Sequence, residues 1–440
     1  MVVNTSTKMH VVIVGGGFAG FACARELAKS NEVRVTLIDK NNYHQFQPLL
    51  YQLATSVLGT DDIATSIRQF FCGHPNVEVK LGEVIAADPK TRTIHTRDGQ
   101  SYQGDFLVLA AGSQVNFFGT VGAKENAFPL YSVEDAQRLR SRILTVFEDA
   151  DRDPKLVGQG ALNFVIVGGG PTGVETAGAL ADMIRLNMPR EYPDLALQQA
   201  RVYLIDHGHA LLGPFPVEAH EYAARALQRK GVQLRLGIGV KEVAPDRVLL
   251  SDGTSIPTRT VVWAGGLMAS PLAANAGLRQ GHGGRIAVRP DLTVEGFPGV
   301  YVLGDFANIP CADDETLPQL GSVAQQCGRW TAQNIWAEIA GETRTPFHYH
   351  DKGIMAMIGR DAAVAAVGQK RHELDGPIAF AAWLGLHALL MSGVRARIET
   401  FVDWAWGYFS RARPIQVLDR TDTSRIDWDN DTNREGNLAA

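Results

Sequence analysis

The chain has 440 residues, 45% apolar and 20% charged, with a formal net charge of −5. That length calls for two or three domains, and the acidic balance gives no support for nucleic-acid binding. The four cysteines, Cys23, Cys72, Cys311 and Cys327, form no CxxC pair and no zinc-ligand spacing, which suits a reducing compartment.

Only a few residues precede the first apolar run, which passes straight into glycines. This is not a signal-peptide pattern, and a cytosolic start is expected. Val11 to Val14 form a short buried strand. Gly15, Gly17 and Gly20 then give GxGxxG spacing ahead of a helix from about Phe21 to Lys29, and a strand from Val33 to Ile38 ends at Asp39. In this fingerprint the first glycine makes the tight turn, the second admits a pyrophosphate, and the third lets the helix lie close to the sheet. The phosphates sit on free N–H groups at the helix N-terminus, and the acid can take a ribose hydroxyl.

The loop from Asn41 to Ala54 is rich in aromatic and amide side chains, which suits packing along a flat ring system. His44 within it is expected to be structural. The strand Val77 to Leu81 runs on to Val84, whose backbone can meet an adenine edge. Phe106 to Ala111 form another buried strand, ending in small residues that allow close approach of a cofactor. Apolar residues from Ser132 to Ala150 recur at helical spacing, and Asp151 to Gly160 reads as a linker.

The whole device then repeats. Phe164 to Val167 lead into Gly168, Gly170 and Gly173, an alanine-rich helix, a strand from Val202 to Ile205, and Asp206. A late strand from Thr260 ends in Ala264-Gly265, echoing Ala111-Gly112. Two complete fingerprints imply two dinucleotides. A further strand, Gly299 to Leu303, ends in Gly304-Asp305, where a carboxylate can hydrogen-bond a polyol. The helix expected from about Gly321 to Ile339 can stabilise negative charge on a reduced ring at its N-terminus. This last segment resumes the first domain. The expected fold is therefore α/β, with two Rossmann-like dinucleotide-binding domains, the second inserted in the first. A C-terminal amphipathic helical, membrane-anchoring region follows. The expected divisions are 1–120 and 285–345 for the first domain, 121–284 for the second with its connecting helix, 346–418 for the anchoring region, and 419–440 for a polar, disordered tail.

In the anchoring region, Phe380 to Met391 are apolar but too short for a span of ~20 residues. The next helix places Val394, Ile398, Phe401, Val402, Ala405 and Phe409 on one face. Trp404, Trp406 and Tyr408 add rings, and Arg411 and Arg413 follow. Such a helix suits a membrane interface; a dimer or domain contact is the alternative. No metal site is expected. Asp427, Asp429 and Asp431 mimic a calcium loop, but Thr432 replaces its glycine and Leu438 its glutamate.

Two nucleotide sites and a Gly-Asp strand suggest a bound flavin and a diffusible nicotinamide, with hydride passing from nicotinamide C4 to flavin N5. No paired cysteines are present to carry the electrons on. A membrane-seeking C-terminus points to a quinone. At this point the chain resembles the type II NADH:quinone oxidoreductases, single-subunit NADH dehydrogenases that do not pump protons. The likeness rests on Gly15–Gly20, Asn42–Tyr51, Gly168–Glu175, Trp263-Ala-Gly, Val302–Asp305, Ala324-Gln-Gln, Asp351–Arg360 and the Trp-rich C-terminus.

The resemblance implies that the first unit binds FAD through Gly15, Gly17, Phe18, Ala19, Gly20, Asp39, Lys40, Gln47, Val84, Ala111, Gly112, Gly304, Asp305, Gly321 and Ser322. The second binds NADH through Gly168, Gly170, Pro171, Thr172, Gly173, Asp206, Ala264 and Gly265. Glu175 corresponds to the family's catalytic glutamate, expected in the first turn of its helix. Ser322, Gln326 and Trp383 are the expected quinone contacts, although Ser322 stands where the family has Gln. Implied partners are a membrane quinone and the bilayer surface, at the cytoplasmic face of the inner membrane, with a homodimer plausible. Three other readings share the glycine motifs. A sulfide:quinone oxidoreductase needs redox cysteines at the flavin, and a reductase of a soluble carrier such as ferredoxin needs no amphipathic anchor. A non-catalytic NADH-responsive scaffold needs no acid at 175.

Overall fold

The computed structural model describes residues 8–311, 315–368, 371–391, 393–410, 413 and 415–418. Arg411, the tail from Asp419, and the acidic triplet at 427–431 lie outside the described residues. The chain forms two compact units.

The first unit comprises the chain up to Gln45, Ala64–Gln114 and Leu267–Asp351. Its sheet runs in the order Thr293–Val294, Phe297–Val302, Phe106–Leu109, Met9–Val14, Val33–Asp39, Val77–Leu81. All neighbours are parallel except the first pair, which is antiparallel. The central strand is buried through Val11, Val12, Ile13 and Val14, as a run of β-branched residues covered on both faces should be. The chain leaves it toward Val33–Asp39 on one side and returns as Phe106–Leu109 on the other. This reversal is the switch point at which such sheets take nucleotides. The helices Phe18–Leu27 and Gly321–Ile339 pack closely, since a β-carbon at Gly328 falls 2.2 Å from Ala19 O. The first unit resumes at Leu267 rather than 285 because Ala269, Leu272, Ala273, Ala276 and Leu278 are buried in its core.

The second unit comprises Phe46–Ile63, Val115–Gly266 and the chain from Lys352 onward. Its parallel sheet runs Phe128–Pro129, Thr260–Trp263, Asn163–Val167, Arg201–Asp206, Val232–Leu236. The connecting helix, Val133–Arg152, opens with a reciprocal capping box. Ser132 Oγ accepts the Asp135 N–H at 3.1 Å, and Asp135 Oδ2 accepts the Ser132 N–H at 2.9 Å, which satisfies two end donors at once. The stretch expected as a linker contains a short helix, Lys155–Gly158.

The region after Lys352 is not purely helical. Three antiparallel strands, Gly353–Met357, Ala363–Val367 and His372–Asp375, precede the helices Gly376–Leu390 and Val394–Ser410. No described helix is long and apolar enough to cross a membrane.

Candidate active site

The two glycine fingerprints have the same geometry. Gly15 and Gly168 hold φ of +99° and +115°, and a β-carbon at either would fall 2.2 Å and 2.3 Å from the carbonyl oxygens of Ala110 and Ala264. Only glycine fits there. Gly20 and Gly173 leave no room either, at 1.9 Å and 1.8 Å from Gly15 O and Gly168 O. Between them, Gly17 and Gly170 have nothing within 4 Å of their β-carbon positions. Each is the N-cap of its helix and makes no side-chain cap. Open space thus meets uncapped helix N–H groups, with Phe18, Ala19, Pro171 and Thr172 in the first turns, which fits a pyrophosphate in both units.

The acids match as well. Asp39 Oδ2 accepts the Gly16 N–H at 2.6 Å and Oδ1 the Asn41 N–H at 2.6 Å. Asp206 Oδ2 accepts the Gly169 N–H at 2.5 Å and Oδ1 the Gly208 N–H at 2.6 Å. Backbone donors thus fix each carboxylate beside its glycine loop, where it can accept ribose hydroxyls. Burial raises the Asp39 pKa against these two bonds. Lys40 is exposed, and Val84 opens the strand Val84–Asp88. Ala111-Gly112 and Ala264-Gly265 follow the strands Phe106–Leu109 and Thr260–Trp263.

Gly304-Asp305 abuts the first fingerprint helix, with a β-carbon at Gly304 3.0 Å from the Ala19 methyl. Asp305 is largely buried, accepts Ser113 Oγ at 3.0 Å, and has its pKa raised by that burial. The helix that starts at Gly321 has no side-chain cap either, so its N–H groups can meet a further ligand. The next two expected contacts are engaged within the first unit. Ser322 Oγ bonds Tyr349 Oη at 2.8 Å, and the Gln326 amide pairs with both the N–H and C=O of His350 at 3.0 Å. His44 is a packing residue, as expected. It is buried, stacks on Phe21 at 4.4 Å, and bonds Gly16 O through Nδ1 at 2.9 Å.

Glu175 lies in the second unit, and one correction follows. Its helix begins at Pro171, so Glu175 occupies the second turn rather than the first. It is also buried, only 8% exposed. The helix macrodipole, which acts within the first turn, therefore does not account for an acid here. The carboxylate accepts the Met357 N–H at 3.1 Å. Burial is the larger influence and lifts its pKa from an ordinary 4.5 to about 8, against the opposing pull of the Met357 N–H and the Trp383 indole.

A cage of side chains closes around it. Trp383 is fully buried, stacks on His387 at 3.8 Å, and meets Tyr51 at 6.4 Å and Trp404 at 5.8 Å. Its N–H lies outside hydrogen-bond geometry of any described acceptor. Tyr51 Oη donates to Met357 Sδ at 3.3 Å and accepts Gln52 Nε2 at 2.9 Å, while Gln52 Oε1 accepts Trp404 Nε1 at 2.6 Å. Tyr51 keeps its proton because of burial and then the nearby Glu175 charge. Sequence reasoning named Glu175 and Trp383 but not Gln52, Met357 or His387. It placed Trp404 among interfacial rings, whereas Trp404 points inward and is 8% exposed. The aromatic, amide-rich loop that carries Tyr51 and Gln52 was the available signal. Gln47, expected at the flavin, opens the turn Gln47–Leu49 in this same unit.

The outer face of the last two helices is apolar and open. Ile378 is 71% exposed, Leu389 68%, Phe401 62%, Trp406 59% and Phe409 84%.

Two uncapped helix starts, each with a carboxylate fixed beside its glycine loop, fit the class of two-dinucleotide oxidoreductases. Residues 9–328 match the family described as pyridine nucleotide-disulphide oxidoreductase. A type II NADH:quinone oxidoreductase of Mycobacterium tuberculosis, Ndh, is 36% identical over 422 residues, covering 92% of this chain and 89% of that one. The chain belongs to the type II NADH:quinone oxidoreductase family. In fold it is similar to NDH2 of Plasmodium falciparum solved with NADH, with a TM-score of 0.86, 19% identity and coverage of 93% and 99%. It is also similar in fold to the sulfide:quinone oxidoreductase of Aquifex aeolicus, at 0.72, 17%, 91% and 95%. All four cysteines are free, and burial raises the thiol pKa of Cys23 and Cys327.

Proposed function

We propose that this chain oxidises NADH through FAD and reduces a membrane quinone to quinol, without pumping protons. The observation that carries the reading is a buried carboxyl, Glu175, held by the Met357 N–H among aromatic side chains on the helix of the second fingerprint. Bound FAD supplies the two-electron relay between nicotinamide and quinone. The residues do the rest. The uncapped helix ends bind the two pyrophosphates, and Asp39 and Asp206 hold ribose hydroxyls. Asp305 holds the polyol chain. The overall reaction takes a hydride from NADH and one proton from solution, and quinol needs a proton at each oxygen. Glu175, protonated at neutral pH, is placed to hand one over directly or through water. Trp383, Tyr51 and Trp404 keep bulk water out. For the quinone site we favour Trp383 over Ser322 and Gln326, whose side chains are occupied by Tyr349 and His350.

The purified protein is expected to be yellow, with FAD released on denaturation, and to oxidise NADH with a short-chain quinone. A protein without flavin bands even after reconstitution, or with no quinone-dependent turnover, overturns the reading.

We further propose that the exposed faces of Gly376–Leu390 and Val394–Ser410 lie in the interface of a bilayer, on the cytoplasmic side where NADH is supplied. Their apolar side chains project outward, which marks an interaction surface. Truncating the chain before Pro377 would also remove Trp383 and Trp404, so it cannot test this face alone. The variant Leu389→Ser/Phe401→Ser/Phe409→Ser leaves the cage intact. Each lost insertion costs about 1.5–3 kcal/mol, so co-sedimentation with vesicles is expected to weaken well over tenfold, with short-chain quinone turnover retained. Unchanged vesicle binding accompanied by dissociation of a dimer identifies the face as a subunit contact instead.

A further inference from the structure

One face of the Glu175 helix carries a feature that its reaction chemistry does not explain. Residues 175, 178 and 182 follow i, i+3, i+7 spacing and so line one stripe of the helix. The backbone of 357–360 runs along that stripe and meets it at each of the three positions. The Met357 N–H donates to Glu175 Oε1 at 3.1 Å. Ile358 O lies only 2.3 Å from where a β-carbon at Gly178 would stand. The Arg360 N–H donates to Asp182 Oδ2 at 2.7 Å. Lys230, from the end of another helix, closes the far end. Its Nζ donates to Asp182 Oδ1 and Oδ2 at 2.7 and 3.0 Å and to Arg360 O at 3.3 Å. Both partners are nearly buried, at 12% and 10% side-chain exposure. A buried ion pair of this kind gives little net stability, but it fixes position. Gly359, at φ +109°, has Asp182 Oδ2 2.5 Å from its β-carbon position, so only glycine lets the backbone come this close.

We propose that Gly178, Asp182 and Lys230 are positioning residues for Glu175: they hold residues 357–360 in register on the helix, so that the Met357 N–H meets the carboxyl group. The contact matters because this N–H is the main group favouring the ionised form of a carboxyl that burial keeps protonated. The register thus sets how readily Glu175 releases its proton.

Few other groups face Glu175. The helix Leu50–Ala54 brings Tyr51, which keeps its proton. The strand Gly353–Met357 brings no titratable side chain. The helix Gly376–Leu390 brings Trp383, backed by His387, whose pKa burial lowers to about 4. On Glu175's own helix, Asp182 is paired with Lys230, and Arg413 donates to Ala179 O at 2.9 Å.

The inference rests on the reading of Glu175 as the proton-carrying group, and the test separates the two. Infrared difference spectra of the FAD-loaded enzyme report the protonated carboxyl stretch of Glu175, assigned by its loss in Glu175→Gln. The titration is run from about pH 6 to 10. In Gly178→Ala the added methyl must push Ile358 away, while alanine itself favours the helix. The Glu175 midpoint is expected to rise by about one unit, since a hydrogen bond to an ionised group is worth about that much. The double variant Asp182→Leu/Lys230→Met removes both charges of the clamp together, with Glu191 still facing the buried Arg413, and is expected to shift the midpoint the same way. Retained FAD and a cooperative melt establish folding. Wild-type midpoints in both variants, or a downward shift from water entering the cage, overturn the proposal. Failure of Glu175→Gln to slow turnover would remove the catalytic reading, yet the carboxyl titration would still decide the register.

Discussion

Replacing Glu175 with Gln is expected to lower quinone turnover at least about tenfold, within the range for a lost acid–base group, while FAD content and fold are kept. The substitution is close to isosteric, and the Gln carbonyl can still accept the Met357 N–H. What is lost is the exchangeable proton. Stopped-flow absorbance divides the cycle into flavin reduction by NADH and reoxidation by quinone. Slowed reoxidation is expected and assigns proton delivery. Slowed reduction alone would assign a role in placing the nicotinamide. Wild-type rates in both halves would leave Glu175 as a buried acid without a catalytic part.

The pH dependence has a definite sign. Burial lifts the Glu175 pKa to about 8, so the carboxyl carries its proton at neutral pH and loses it above. Reoxidation by quinone should therefore fall as pH rises through about 8, and this limb should vanish in Glu175→Gln. Stability follows the same proton. Between the ordinary 4.5 and about 8, the folded state binds this proton and the unfolded chain does not. The contribution of Glu175 to stability is thus full below the unfolded value and declines as pH rises across that interval. A melting curve measured against pH should flatten there in Glu175→Gln.

The parts of this site that could be read from sequence are those whose residues act locally. Gly15, Gly17, Gly20 and Asp39 belong to one strand–turn–helix–strand unit, as do Gly168, Gly170, Gly173 and Asp206, so spacing alone reveals them. The cage was hidden because its members are remote: Tyr51 and Met357 are 306 positions apart, Gln52 and Trp404 352. Periodicity identified the apolar face of Val394–Ser410, but not that Trp404 turns away from it to bond Gln52. The strands at 353–375 escaped notice because Gly-Ile-Met-Ala-Met and Ala-Val-Ala-Ala-Val lack the alternation that marks a half-buried strand. The register of 357–360 on the helix left one trace in sequence, Gly178 in an alanine-rich helix, where a glycine without a packing reason costs roughly 1 kcal/mol.

The second large effect concerns cofactor choice. NADH should be preferred over NADPH by roughly a hundredfold or more in kcat/KM. Asp206 is held beside the glycine loop by the Gly169 and Gly208 N–H groups, where it can accept a ribose 2′-hydroxyl. A 2′-phosphate would bring a like charge to the same place. Two unit charges ~4 Å apart repel by about 4 kcal/mol at an effective dielectric near 20, and tenfold corresponds to about 1.4 kcal/mol, so screening still leaves a large penalty. The following residues offer no compensating guanidinium. They are His207, Gly208 and His209; the His207 ring is 91% exposed, and the His209 ring lies over Gly237, 2.8 Å from its β-carbon position. Asp206→Ala removes both the hydroxyl acceptor and the repulsion. Its NADH efficiency should fall and its NADPH efficiency rise, closing the gap by at least about tenfold. Steady-state kcat/KM for the two cofactors, measured at one ionic strength with the same short-chain quinone, checks this. A wild-type enzyme that uses NADPH as well as NADH would show that Asp206 does not face the ribose 2′-position.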